Sequence, residues 1–319
     1  MGTIQANMAF QSLTPDLVID AVEQCGKFSD FRVTELNSYE NRVFRVGIED
    51  SSPVIIKFYR PERWLDVQCL EELDILARLH EIGIPVTTPI AVNGTYLQQI
   101  KGYRFALFEQ VVGRNAEPDN LDHLYQIGES IGQLHQACHD KVVCQRPDLS
   151  PSQRIDQAVQ QVLTSKLLPI AAQANYLSAV EQAQHVFAED MADYHSYPKF
   201  LIHGDAHVGN ILISESAACL IDFDDCRLGI AVEDLWMLMG TQAPEVMSEI
   251  LEGYGSFMDF DTKQLQLIPL LKLLRHIQYA GWLAQRWQDP AFPKAFPWFG
   301  TTDYWQQHIK HIKELCTKH

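Results

Sequence analysis

The stretch HGDAHVGN at 203–210 sets a carboxylate, Asp205, five residues before a carboxamide, Asn210, in a loop between two short apolar runs, FLI and ILI. Phosphoryl transfer asks little covalent help of a protein. It needs a carboxylate to orient the incoming hydroxyl, and hard oxygen ligands for a Mg²⁺ that neutralises charge at the β and γ phosphates. Asp205 can meet the first need and Asn210 the second. Twelve residues past Asn210, Asp222 follows the apolar run CLI, where a β-hairpin returns the chain beside the loop and presents another oxygen ligand. Either element alone is ordinary, because an Asp at a strand end commonly caps or turns the chain. Together they point to nucleotide chemistry. A rival reading makes His203, Asp205 and His207 ligands of one transition-metal centre. It is the weaker, since such hydrolase sites want further His and Asp clusters and the remaining histidines are scattered singly.

Such a site also needs a cation on the α and β phosphates and a helical carboxylate to position it. Lys57 ends the run VIIK, where an ammonium on an otherwise apolar strand requires a partner. The next helix offers Glu71 and Glu72; Glu72, one turn before Leu76, is the preferred partner and Glu71 its solvated neighbour. The segment LNSYENRVF takes the place of a phosphate-covering loop, yet it contains no glycine. A tight turn whose backbone N–H groups and Ser38 hydroxyl face the phosphates can replace a glycine-rich loop, because such nests bind anions through the main chain. FALFEQVVG at 105–113 is the candidate hinge, with main-chain groups from Glu109 to Val111 for the adenine edge. The basic strip KFYRPER at 57–63 reads by default as a solvated edge with one buried Lys.

Hydrophobic periodicity supplies the elements that must hold these residues. TPDLVIDAVEQCG predicts a helix, with Thr14 as N-cap, Pro15 at the first helical position and Gly26 as stop. FRVTELNS, RVFRVGIED and PVIIKFY predict three antiparallel strands, and IPVTTPIAV, GTYLQQI and YRFALFEQV further ones. Between the two groups, Leu65, Cys69, Leu73, Leu76 and Leu79 recur at helical spacing up to Gly83. Past Gly113 the chain turns mainly helical, beginning with a stripe of Leu121, Leu124, Ile127, Ile131 and Leu134. The expected class is α+β: a lobe of antiparallel sheet plus helix over 1–112, for the nucleotide, and a larger, mainly helical lobe over 113–319, for catalysis and acceptor.

Bulk composition agrees with a folded machine. The chain has 319 residues, 46% hydrophobic and 21% charged, which excludes wholesale disorder and fibrous repeats. With 25 Lys and Arg against 41 Asp and Glu, the net charge of −16 repels nucleic acid. The seven cysteines form no CxxC pair and read as small buried hydrophobes in a reducing compartment. The first residues lack the basic and apolar regions of a signal peptide, and Ala6 stands where a myristoylation site wants Ser or Thr. No apolar stretch approaches the roughly 18 residues of a membrane span. The expectation is a cytoplasmic protein.

HGDAHVGN followed by LIDFDD resembles the aminoglycoside phosphotransferase and choline kinase branch of the protein-kinase-like superfamily. More narrowly, LNSYENRVF, VIIKFYRPERW, VEDLWML and the tail QDPAFPKAFPWF with DYW resemble the bacterial stress-response serine/threonine protein kinases over nearly the whole length. The resemblance implies a bilobal kinase fold, ATP and Mg²⁺ as cofactors and transfer to a protein Ser or Thr; a monomer is expected. It implies Asp205 as catalytic base, Asn210 and Asp222 as metal ligands, Ser38 in the ATP loop and Lys57 on the phosphates. It adds Asp234 as a buried brace of the catalytic loop, Asp224 and Asp225 as supporting charge, and Arg275 or Arg286 beside the acceptor. The sequence also departs from classical protein kinases: Asp follows Phe223 where they carry Gly, and no APE-type segment marks an activation loop.

Overall fold

The computed structural model describes residues 10–140, 145–215, 217–239 and 243–317, with side chains at all of these except 189–193. By compactness the chain falls into two units. One comprises the chain up to Arg146 together with Phe200–Phe260, the other Pro147–Lys199 with the chain from Asp261 onward.

The first unit begins with α1 (Pro15–Gln24), whose Thr14 Oγ accepts from the Leu17 N–H at 3.3 Å and whose Pro15 needs no donor. Five strands follow around α2 (Asp66–Glu81): β1 (Ser29–Leu36), β2 (Arg42–Ile48) and β3 (Ser51–Phe58) before it, β4 (Pro89–Ile90) and β5 (Gln98–Ile100) after it. With β6 (Tyr103–Glu109) they make one antiparallel sheet in the order β1-β2-β3-β6-β4, with β5 also on β6. Side chains alternate across a strand, so the register of β3 decides what each face receives. Val54, Ile56 and Phe58 join Leu17, Val18, Ala21 and Val22 of α1 in one core cluster. Lys57 falls on the opposite face, where Glu72 of α2 meets it.

The expected strand over IPVTTPIAV shrinks to two residues for a reason visible in its hydrogen bonds. Leu220 N–H donates to Pro85 O, and Thr87 N–H to Leu220 O, so the backbone there is committed to the strand that ends at Leu220 and not to the main sheet. GTYLQQI likewise joins the main sheet only over β5, its Thr95 pairing locally with Val92.

After β7 (Arg114–Asn115), α3 (Leu121–Cys138) buries Leu124, Ile127, Ile131 and Leu134, whereas Leu121 in its first turn is exposed. The second unit then contributes α4 (Pro151–Ser165) and α5 (Ile170–Ser196). The chain re-enters the first unit as β8 (Phe200–Ile202), β9 (Ile211–Ile213), β10 (Ala218–Leu220), β11 (Arg227–Gly229), α6 (Val232–Met239) and α7 (Pro244–Gly255). β9 pairs with β10 and β7, and β8 with β11. Glycine lets α3 and α7 approach backbone to backbone. A Cβ on Gly128 would lie 2.2 Å from Ile250 O, and one on Gly253 2.1 Å from Tyr125 O.

The second unit closes with α8 (Ile268–Arg286), α9 (Ala291–Ala295) and α10 (Thr302–Cys316). The helix expected over LLKLLRHIQYAGWLAQRW is α8, packed on α4; of the tail aromatics, Phe292 and Phe296 pack on its Trp282, while Phe299 and Tyr304 pack on Trp305, whose indole N–H donates to Leu167 O at 3.0 Å. The fold is α+β, as the sequence predicts. Among the described residues Cys69, Cys138, Cys219 and Cys226 are buried and Cys25 and Cys316 partly so; Cys144 lies outside the described residues. No described helix is long and apolar enough to cross a membrane.

Candidate active site

Two polar turns of the first unit carry the motif residues. The β8 strand delivers His203, Gly204 and Asp205 into the first turn, which ends at Asn210 as β9 begins. Asp234, fully buried at the start of α6, holds that turn from below: its carboxylate accepts from the His203 N–H at 2.7 Å and the Gly204 N–H at 2.8 Å, and His135 of α3 approaches it at 3.0 Å. Burial opposes ionisation of Asp234, but the hydrogen bond and charge of His135 with the backbone donors prevail and depress its pKa. Gly204 at φ +83° is required here, because a Cβ would sit 2.1 Å from Asp225 O. Arg227 donates to Gly204 O at 2.7 Å from the other side.

On this frame the Asn210 amide nitrogen donates to Asp205 O at 3.0 Å and lies 3.5 Å from Asp205 Oδ2, so the two motif residues share one small loop. The hairpin between β9 and β10 brings back the second turn, where the Ile221 N–H donates to Asn210 O at 2.9 Å. Asp222 comes next, in the left-handed region at φ +61°, a conformation that costs a non-glycine residue about 1 kcal/mol. Its side chain is 39% exposed and its Oδ1 lies 3.0 Å from Lys57 Nζ.

Lys57 is almost completely buried, with Glu72 Oε1 at 2.8 Å, Asp222 Oδ1 at 3.0 Å and Asp224 Oδ1 at 3.4 Å. Burial alone would favour the neutral amine. The three carboxylates outweigh it and hold the ammonium well above its ordinary pKa. Glu72 is the buried member of the glutamate pair; Glu71 accepts from the Gln145 N–H at 2.7 Å.

The basic strip is not a solvated edge. Arg60 is 2% exposed and donates to Glu40 O and Tyr39 O, while Arg63 reaches Glu40, Asp224 and Asp225. The apolar strand before them and the acidic turns around them leave these cations no cheaper place, since a buried carboxylate requires a partner. Arg146 was equally hidden in the sequence. It lies between α3 and α4 and meets Glu72 Oε2 at 3.1 Å, stacks on Trp64 at 4.4 Å and donates to Asp224 O. No spacing rule connects a residue at 146 to one at 72. Asp224 is buried and Asp225 half-exposed; burial works against ionisation of Asp224, but Arg63, Lys57 and Arg146 together hold its pKa far below the usual carboxylate range.

The rival metal centre does not assemble. His203 engages Ile221 O with Nε2 and the Asp205 N–H with Nδ1, and His207 Nδ1 accepts from the Gly209 N–H. Among the described residues no three His, Cys, Asp or Glu side chains form a metal-binding group. Oxygen donors from Asn210 and Asp222 on adjoining turns do fit a hard divalent ion.

The remaining candidates lie on the sheet side. Ser38 sits in the turn between β1 and β2, which is fixed by Arg42: its guanidinium donates to Tyr39 O at 3.2 Å and Asn41 O at 3.1 Å, with Ser38 O at 3.5 Å. Glu109 ends β6 with its N–H donated to Thr88 O, so only its carbonyl remains for a ligand, and Val111 follows in the connection to β7. In the second unit Arg275 is exposed and Arg286 partly buried.

Several known proteins are similar to this chain. Stress response kinase A of Escherichia coli is 38% identical over 300 residues, covering 93% of this chain and 90% of that protein. Serine/threonine protein kinase RdoA of Salmonella typhimurium is 38% identical over 301 residues, covering 93% and 91%. Among solved structures, an amicoumacin kinase in complex with AMP-PNP, Ca²⁺ and Ami superposes with a TM-score of 0.70 at 22% identity over 90% of each chain. A microcompartment-associated aminopropanol kinase gives 0.69 at 19% identity, over 94% of this chain and 95% of that one. These two show a shared fold. Residues 32–268 match the phosphotransferase enzyme family, a span that runs from the first strand past both polar turns, and the chain belongs to that family.

Proposed function

We propose that this chain transfers the γ-phosphoryl group of ATP, with Mg²⁺, to a serine or threonine hydroxyl of a protein. The observation that carries the reading is Lys57: a buried ammonium held between Glu72 and Asp222. When ATP is bound, Lys57 serves the α and β phosphates and Glu72 keeps its ammonium aimed. Asn210 and Asp222 hold the metal, which supplies charge neutralisation at the β and γ phosphates. Asp205 accepts the acceptor hydroxyl's proton or fixes its lone pair toward phosphorus. The Ser38 turn covers the phosphates, and main-chain groups of Glu109 and Val111 receive the adenine. In this reading residues 1–112 form the nucleotide lobe and 113–319 the catalytic and acceptor lobe. The protein acceptor is supported by the relative called a serine/threonine protein kinase and by the names of the stress response kinases.

A second reading, phosphorylation of a small alcohol, is favoured by the solved neighbours described as kinases of amicoumacin and aminopropanol. The two are separated by incubating purified protein with labelled ATP and Mg²⁺, once with a general protein substrate and once with a panel of amino alcohols. Asp205→Asn should lower transfer about 10²- to 10⁴-fold while nucleotide still binds, and Asp222→Ala should remove Mg²⁺-dependent binding as well. Wild-type transfer no higher than that of Asp205→Asn would refute the enzymatic reading and leave an ATP-binding regulator.

A further inference from the structure

The turn between β1 and β2 has no glycine, and in a phosphate-covering role its position must be set by something other than backbone freedom. A set of ion pairs does this. Arg60 Nε lies 3.2 Å from Glu40 Oε1, and Arg63 Nη1 lies 3.1 Å from the same oxygen. Arg63 continues to Asp224 Oδ2 at 3.0 Å and Asp225 Oδ1 at 2.6 Å. Asp224 is shared with Lys57, Lys57 with Glu72, and Glu72 with Arg146. Charges therefore alternate along Arg60, Glu40, Arg63, Asp224, Lys57, Glu72 and Arg146, linking the covering turn to the turn that begins at Asp222.

We infer that Glu40 and Arg63 form a latch that positions the covering turn over the nucleotide phosphates by tying it to the Phe223–Asp225 turn. Both are positioning residues; neither is assigned contact with ATP. The inference rests on the nucleotide reading above and deepens it.

The geometry suits a latch more than a passive surface pair. Glu40 and Arg63 each keep only 14% of their side-chain surface, so their attraction is screened less than that of an exposed pair. The guanidinium can serve carboxylates from two different turns at once because its N–H groups form a fixed fork. The Arg63 guanidinium also lies 5.3 Å from the Trp64 ring, which restricts where it can swing. Meanwhile Arg42 and Arg60 take the carbonyl oxygens of the covering turn, so the turn moves as a pinned unit and Glu40 is its side-chain tether. A nucleotide positioned by a tethered cover should lose binding when the tether is cut, with the chemical step less affected.

The test compares wild type, Glu40→Gln, Arg63→Met and the double variant for binding of AMP-PNP with Mg²⁺ by calorimetry, and for kcat and KM for ATP. Each single substitution should weaken binding and raise KM about tenfold, with kcat altered about threefold or less. The double variant should be no worse than the poorer single, because one link has been cut twice. Melting temperatures identify a variant that fails to fold. In that event Arg63→Lys, which keeps the charge without the fork, replaces Arg63→Met and should still raise KM. Unchanged nucleotide affinity in Glu40→Gln, or additive losses in the double variant, would overturn the latch. Absence of nucleotide binding in the wild type would instead remove the nucleotide reading on which it rests.

Discussion

In the unit that carries Lys57, buried polarity is ionic: Lys57, Glu72, Asp224, Asp234 and Arg146 are nearly inaccessible, each with an opposite charge or a protonatable ring within about hydrogen-bonding reach. In the unit built from α4, α5 and α8 to α10, the corresponding places on α8 and α10 are held by imidazoles. His276 and His308 stack at 4.3 Å, with His311 4.6 Å from His276 and Tyr176, Tyr304 and Trp305 around His308. Both His308 ring nitrogens are buried without a hydrogen-bond partner. Burial pushes His276 down to about 4 and His308 down to about 2, so both rings are neutral at pH 7. These histidines are not scattered singly, as their spacing suggests: residues 32 positions apart converge when α10 lies along α8. The contrast teaches where each unit spends its polar groups. The first unit retains buried charges and pairs them, whereas the contact between α8 and α10 buries uncharged rings, with Arg154 and Asp289 buried elsewhere in the helical unit.

The strongest challenge to this contrast is Asp234→Ala. It strips His203 N–H, Gly204 N–H and His135 of their shared acceptor in a dry environment. Denaturant unfolding should show a loss of about 3–5 kcal/mol, as for breaking a buried charge pair, and a loss below about 1 kcal/mol would show the ionic frame to be unimportant.

Mild acid should separate the two units. A histidine with a depressed folded-state pKa takes up protons preferentially when unfolded, so its stability contribution is full above about pH 6.5 and falls as the pH drops toward the folded value. For His276 the decline runs from 6.5 to about 4 and amounts to about 3 kcal/mol at its end. Asp234 and Asp224 have the opposite sign: folded pKa values below 3.8 make their contribution complete above that pH and lost only beneath it. Hydrogen exchange at pH-corrected rates should therefore show α8 and α10 losing protection between pH 6.5 and 4.5 while α6 keeps its own. Parallel loss in both would break the distinction.

Replacing His308 by Leu removes two buried nitrogens that lack partners and leaves a side chain of similar bulk. A gain of about 1 kcal/mol at pH 7, and a shallower acid slope, is expected by thermal unfolding at several pH values. At the small end, Asp148→Ala cuts the Lys199 pair at 2.9 Å, whose members are partly exposed. A change of about 0.5 kcal/mol or less should be measured, and a larger one would show that the helical unit also relies on ion pairs.

The sequence by itself determined the local parts. Thr14 and Pro15 start α1, the alternating run through Ile56 and Phe58 fixes β3 with Lys57 on its other face, and the spacing of Asp205, Asn210 and Asp222 marks two polar turns. These follow from caps, strand period and hairpin return, all of which act over a few residues. The choice of Glu72 over Glu71 needed only helix periodicity and the expectation that a buried ammonium seeks a buried carboxylate. Tertiary structure decided the rest. Arg146 against Glu72, Arg63 against Glu40, Asp224 and Asp225, and His276 against His308 join residues whose separation carries no periodic signal. Coulomb forces and burial act through space, and only the folded backbone says which charges become neighbours.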